Sequence, residues 1–395
     1  MNNQSIISLI AMLLAILTIS ANPTHGHEST SGQFNPKPHA TTESDKSLIQ
    51  IAILLDTSGS MRGLVDQARI QIWNVVDELS TSSRNSNQSE LEIAVYQYGT
   101  ETVSKSDGYI RRVLDFSGDL DEVSRALFSL EVKGGVELCG EVVRQSCDDL
   151  NWSEDAGYKA VFIAGNEAFD QGQTSFASVI PRLREQQIKV NTIYCRWKDA
   201  KKREDALWQY AAQLASGTYA MINHNRKMED LSTPYDDQFR SLNRRMNDSF
   251  VWYGKNANKH MKNQIEQDKN ADKMSNAAFA SRMSSKIGHL YKHVHSDLVD
   301  ALQHNQLKMD SMPEKLMPEN IRAMKPAERM SFLKQKISER EQVRREMATL
   351  ISQRDAWIRA NAPASQSTGD TWGDALRSAV RTQLKSAGFE IRDAS

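Results

Sequence analysis

The chain has 395 residues, 25% of them charged and 39% hydrophobic, long enough for two or more folding units and polar for a globular protein. Its 49 Lys and Arg nearly balance 50 Asp and Glu, leaving a net charge of -1, and no basic stripe interleaves with aromatics. Nucleic acid is therefore not an expected partner.

Met1 to Ser5 precede an apolar run from Ile6 to Ile19, about the length of a secretory h-region and short for a membrane span of roughly 20 residues. Ser20 and Ala21 supply small residues for cleavage, although no Lys or Arg precedes the run. Residues 1–21 read as a signal peptide, which implies a periplasmic or secreted protein; a membrane association would require that segment to stay uncleaved. Residues 22–47 are polar and rich in Pro, Gly, Ser and Thr, a flexible linker whose His25, His27 and His39 are best read as solvated.

From Leu48 buried-strand runs alternate with helical patterns. Strands are expected at Leu48–Leu55, Leu91–Tyr98, Lys159–Gly165, Lys189–Cys195 and Thr218–Asn223, with a loosely alternating edge strand at Tyr109–Phe116. Helices are expected near Leu64–Leu79, Asp121–Leu130, Leu138–Leu150, Phe176–Gln186 and Lys202–Ala215. That alternation predicts an α/β class, a doubly wound, mostly parallel sheet with helices on both faces, over residues 48–226. Ligands of such folds bind beyond the carboxyl ends of the strands, at the topological switch point.

The three cysteines have no metal-ligand spacing. Cys139 and Cys147 are eight apart on one predicted helix, a rise of roughly 12 Å that forbids a bridge. In an oxidising compartment Cys139–Cys195 is the more plausible pairing, because both would sit near the top of the sheet, with three free, partly buried thiols as the alternative.

After about Arg226 the strand-like runs cease, and residues 227–395 read as a mainly α-helical region, a hairpin or bundle packed on the α/β part. Helices are expected at Asp236–Trp252, Ala277–Leu302 and Pro326 to about Asn361, with a short amphipathic piece at Trp372–Leu384. In the long helix Met330, Leu333, Ile337, Val343, Met347, Leu350, Ile351 and Trp357 recur at helical spacing. The gap between Ile337 and Val343 interrupts a strict heptad, which weighs against a long coiled coil. A stalk or oligomerising helix is the competing reading. Met309, Met312, Met317 and Met324 are best read as core filling, Trp152 and Trp197 as packing over helix ends, and Lys198–Glu204 as a solvated helix start. His289, His293 and His295 cluster on the second of these helices; His289 and His293 are four apart and able to share a metal, though a surface pair is the plainer reading.

The chemistry concentrates at the end of the first strand. Ile51-Ala52-Ile53-Leu54-Leu55 runs into Asp56-Thr57-Ser58-Gly59-Ser60, which sets one carboxylate and two hydroxyls at spacings of two and four. These are hard oxygen donors of the kind that hold Mg2+, Mn2+ or Ca2+. In its strand–loop–helix context this segment resembles the D-x-S-x-S motif of the von Willebrand factor type A domain, where it forms a metal-ion-dependent adhesion site. The resemblance covers Leu48 to Asn223 and implies two companion loops, one with a Thr and one with an Asp. Here the first reads Gly134-Gly135-Val136-Glu137, with Val136 at the Thr position and Glu137 the next candidate ligand. The second reads Gly165-Asn166-Glu167, with Asn166 where Asp is usual; Glu137 or Glu167 is placed to restore the charge. The implied metal set is Asp56, Ser58, Ser60, Glu137 and Asn166, for Mg2+ or else Mn2+ or Ca2+.

The resemblance implies an exported adhesion or scaffold protein whose protein partner completes the cation's coordination. The alternative is a structural assembly protein driven by its C-terminal helices, with a metal-free head. Enzyme classes find little support. Leu54-Leu55-Asp56-Thr57-Ser58-Gly59 departs from an aspartic-protease loop by the intervening Ser58, and no second such loop follows. No nucleophile elbow, phosphate-binding loop or H-E-x-x-H occurs.

Overall fold

A computed structural model of the chain describes residues 47–196, 202–226, 230–309, 312–361 and 371–391. The expected signal segment 1–21, nearly all of the expected linker 22–47, Trp197 and the first four residues of the expected helix start Lys198–Glu204 lie outside the described residues. Among the described residues no helix is long and apolar enough to cross a membrane.

The α/β part runs β1 (Leu48–Asp56), α1 (Arg62–Ser80), β2 (Ser82–Arg84), β3 (Asn87–Gln88), β4 (Glu90–Tyr98), β5 (Arg111–Ser117), α2 (Leu120–Phe128), α3 (Cys139–Asp149), β6 (Tyr158–Gly165), α4 (Phe176–Glu185), β7 (Lys189–Cys195), α5 (Lys202–Leu214) and β8 (Tyr219–Ile222). Six strands pair in the order β5-β4-β1-β6-β7-β8, all parallel except the β4–β5 edge pair. The doubly wound sheet expected from the sequence is present, and its central strand is the one that carries the Asp56 loop. Period-two alternation along β1 fixes the layers. Ile49, Ile51, Ile53 and Leu55 join the cluster with α1 and α2, whereas Ala52 and Leu54 join α3, α4 and α5.

The chain then continues through α6 (Asp236–Asp248), α7 (Ala257–Met274), α8 (Asn276–Ile287), α9 (Leu298–Gln303), α10 (Glu319–Arg322), α11 (Pro326–Asn361) and α12 (Trp372–Ser386) to β9 (Glu390–Ile391). The C-terminal region is helical, as expected, but its elements differ in two ways. Ala277–Leu302 is not one helix. It stops at Ile287, and a loop through His293 leads to α9, whose N-cap Asp297 accepts from the Asp300 amide. The three histidines therefore do not share a helix. His289 reaches the Ser89 carbonyl at 2.9 Å, and His293 is buried rather than exposed. The second difference is α7, a helix the hydrophobic pattern did not announce.

The stripe on α11 turns inward. Leu333, Val343, Met347 and Leu350 pack on α6, α8 and α9 of the same chain, and Met309, Met312 and Met317 are buried core residues in the adjoining cluster. α12 docks on the α/β part, where Trp372, Leu376, Val380 and Leu384 enter the cluster shared by β1 and α1. The Trp152 indole donates to the Ser146 carbonyl at 2.9 Å and so packs over the end of α3.

All three thiols are free and buried. Cys139 on α3 lies in the cluster on one face of the sheet and Cys195 on β7 in the cluster on the other. The pairing the sequence left open is not made, because the sheet stands between them. Burial pushes the Cys139 and Cys195 thiols well above their ordinary range, and Cys147 up to about 11. Ellman's reagent is expected to find essentially no reactive thiol in the native chain and all three after denaturation. Rapid stoichiometric labelling without denaturant would contradict this burial.

Candidate metal centre

The order of the sheet sets the site. β1 lies between β4 and β6, and the chain crosses from one side of β1 to the other between them, so the carboxyl ends of β1 and β6 flank the switch point. Asp56 ends β1 and Asn166 follows Gly165 at the end of β6. The Thr57 amide donates to the Tyr98 carbonyl at 2.8 Å, and the Lys133 amide to the Thr57 carbonyl at 3.0 Å. The Glu101 amide donates to the Gly134 carbonyl at 2.8 Å. These bonds hold the Asp56, Gly99 and Gly134 loops against one another.

Glycine is required at two of these contacts. A Cβ on Gly135 would meet the Gly99 carbonyl oxygen at 2.6 Å. Gly99 has φ +74°, and its Cβ would lie 2.9 Å from both Asp56 Oδ1 and Glu137 Cγ. The second measurement also shows that the Asp56 and Glu137 side chains share one small space beside Gly99.

Asp56 and Ser58 are almost fully buried, at 0% and 4% exposure. The Ser58 amide donates to Asp56 Oδ1 at 2.7 Å, which leaves Oδ2 without a hydrogen-bond partner. Ser58 Oγ and Asn166 Oδ1 are likewise buried and unpartnered. Asn166 is buried with its Nδ2 turned 3.4 Å from Ser60 Oγ, so the amide oxygen remains free. Ser60 itself is exposed at the mouth. Burying an oxygen with no donor costs about 1–3 kcal/mol, and here three such oxygens collect at one switch point.

Charge points the same way. Burial drives the Asp56 carboxyl up to about 8, with Glu137 and Glu167 adding repulsion against the opposing Ser58 amide bond. Burial also raises Glu137, and Glu167 adds to it. Glu167, expected from the sequence as a source of the charge that Asn166 lacks, lies close enough for its charge to be felt by both acids. Val136 points away, 44% exposed, so the loop's ligand-bearing position is Glu137. Asp56, Ser58, Ser60, Glu137 and Asn166 are thus brought to one place, with Glu167 at its edge. Hard oxygen donors, two of them carboxylates, in a cradle with unmet acceptors fit a divalent cation of the Mg2+, Mn2+ or Ca2+ type.

No protein-family model matches the sequence, and no curated protein is similar to it. Among solved structures, BatB from Bacteroides thetaiotaomicron is similar over 44% of this chain and 90% of its own, at 15% identity and a TM-score of 0.32. The VWA domain of SpRpn10 is similar over 44% of this chain and 88% of its own, at 13% identity and a TM-score of 0.32. Proximal thread matrix protein 1 from the mussel byssus, solved with a zinc-occupied MIDAS motif, is similar over 47% of this chain and 44% of its own, at 11% identity and a TM-score of 0.35.

Proposed function

We propose that the chain is an exported, non-enzymatic protein-binding module that engages its partner through a divalent cation held beside Asp56. The observation that carries this reading is the trio of buried, unpartnered oxygens, Asp56 Oδ2, Ser58 Oγ and Asn166 Oδ1. When bound, the ion supplies an open coordination position for an acidic side chain of a protein partner. This chain's residues do the rest. Asp56 and Glu137 provide the charge, Ser58 and Asn166 provide neutral oxygens, and exposed Ser60 marks the side from which a partner approaches. Asn166 in place of a carboxylate leaves the set one negative charge weaker, which favours a partner that brings its own carboxylate. Export rests on the apolar run from Ile6 to Ile19.

Calorimetric titration with Mg2+ and Mn2+ tests this directly. The wild-type chain is expected to bind one of them, Asp56→Ala to lose binding, and Glu137→Gln to weaken it by ten-fold or more. A wild-type chain that binds neither ion would end the reading. Capture of a partner should also be abolished by chelator and by Asp56→Ala alike.

A further inference from the structure

At the other end of the sheet lies a group of ligating side chains that the Asp56 site does not use. Ser117, the last residue of β5, registers with Ile93 near the start of β4, so the turn into α2 sits beside the amino ends of the parallel strands. Asp119 caps α2 there. Its Oδ1 accepts the amides of Asp121 and Glu122 at 3.0 and 3.3 Å, which leaves Oδ2 directed at the helical region. From that region the loop after α8 brings in His293. One ligand atom each from Asp119, Asp121 and His293 lies within 4.8 Å of the other two. His293 is 6% exposed, and its Nε2 has no hydrogen-bond partner; the Asp121 Oδ2 atom stands 3.5 Å from it. The imidazole is also fixed in orientation, set edge-on to the rings of Phe250, Trp252 and Tyr291 at 5.8, 5.2 and 5.0 Å.

We infer that Asp119, Asp121 and His293 form a second divalent-cation site, of zinc type, that ties the helical region to α2. Zinc bonds of about 2.0–2.2 Å put tetrahedral ligand atoms roughly 3.3 Å apart, which the His293–Asp121 pair already meets at 3.5 Å. Closing the wider gap takes a small side-chain adjustment of Asp119. The imidazole nitrogen separates this site from the all-oxygen Asp56 set, because imidazole favours zinc and its first-row neighbours over Mg2+ or Ca2+. The ligands are supported from behind. Asp121 Oδ2 accepts the Tyr291 hydroxyl at 2.8 Å and its Oδ1 lies 2.9 Å from Arg282 Nη1. His260 Nδ1 lies 3.3 Å from Asp119 Oδ2 and acts as a positioning residue, or as a fourth ligand after a small rotation. A cleft of about 630 Å3 that includes His260, His293 and Asp119 opens the site to solvent.

The test uses the full chain carrying Asp56→Ala, so that the oxygen site is disabled, with Zn2+ and its spectroscopic substitute Co2+ as probes. That chain is expected to take up about one equivalent of Co2+ with the visible absorption of a four-coordinate nitrogen–oxygen set. It should also melt at higher temperature with Zn2+. Adding Asp119→Asn, which keeps the cap but removes the charge, is expected to weaken uptake at least ten-fold. Adding His293→Gln should remove the absorption. No Co2+ uptake by the Asp56→Ala chain overturns the site, as does uptake that neither added substitution changes. Should His293→Gln fail to fold, the Asp119→Asn result decides. Failure of the Asp56 site is separately visible, as equal Mg2+ or Mn2+ binding by wild type and Asp56→Ala.

Discussion

Arg340→Ala is expected to destabilise the chain by about 3–5 kcal/mol, the usual cost of leaving buried charges without their partner. Arg340 is fully buried on α11, with Nη1 2.7 Å from both Asp297 and Asp300. Its Nε donates to Ser249 Oγ at 3.0 Å and its Nη2 to the Ser249 carbonyl at 2.9 Å, and the guanidinium lies 4.0 Å from the Phe250 ring centroid. Every face of the cation is thus used. Asp297 is itself committed, accepting the Val251 and Asp300 amides at 2.6 and 2.9 Å. Burial raises the Asp297 carboxyl even with Arg340 opposing, so removing the cation leaves two carboxylates where water cannot reach. Arg340→Met restores much of the volume and none of the charge, and should be nearly as damaging. Urea denaturation followed by circular dichroism measures both variants. A loss below about 1 kcal/mol for Arg340→Ala would show that the cluster relaxes or hydrates, and that Arg340 does not hold α9 to α11 through its charge.

Arg340 also explains what the sequence pattern showed and hid. The break between Ile337 and Val343 looked like an interrupted heptad. Buried positions Leu333, Arg340, Met347 and Arg354 recur every seven residues, with Val343 and Leu350 between them. The repeat is intact once buried arginines are counted, and a search for apolar residues cannot count them. The same blindness hid α7, whose buried face is Asn263, Gln264, Gln267, Asp268 and Ala271. Asp268 there meets Arg282 at 2.6 Å and Lys286 at 3.1 Å. Burial alone would raise Asp268, but those two cations hold it at about 2. The α/β strands were legible because their burial is apolar and continuous. The Asp56 loop was legible because its donors are contiguous in the chain. Glu137 and Asn166 required a resemblance, since only the sheet order brings their loops to the end of β1. Of Asp119, Asp121 and His293 only the histidine carried a local signal, and it pointed to His289; the two acids join it across roughly 170 positions through a loop that interrupts an expected helix.

Removing α12 is expected to have the largest effect of any change outside the candidate sites, because that helix closes the sheet face behind β1. Trp372, Leu376 and Leu384 are each 0% exposed and belong to the cluster built on β1 and α1. The docking is also polar and specific. The amides of Trp372 and Gly373 donate to Gln67 and Gln71 of α1 at 3.0 and 2.5 Å. The Tyr158 hydroxyl of β6 donates to Gln383 at 2.6 Å, and Gln383 Nε2 donates to Asn191 of β7 at 2.6 Å. β9 then pairs with β2, so the end of the chain is stitched to the α1–β4 connection. A chain ending at Asn361 would expose an apolar face and remove the hydrogen bonds that α12 makes to Gln67 and Gln71 of α1 and to Tyr158 and Asn191 of the sheet. It is expected to lose its cooperative thermal transition, with hydrogen-exchange protection falling in β1 and β6 rather than in α6 or α11. The gentler Trp372→Ala should cost about 3–5 kcal/mol, as large-to-small changes of buried aromatics do. If the truncated chain kept the wild-type melting temperature and the protection of β1 amides, α12 would be an accessory to the fold. The α/β core would then have to close without it, which the apolar face under Trp372 gives no means of doing.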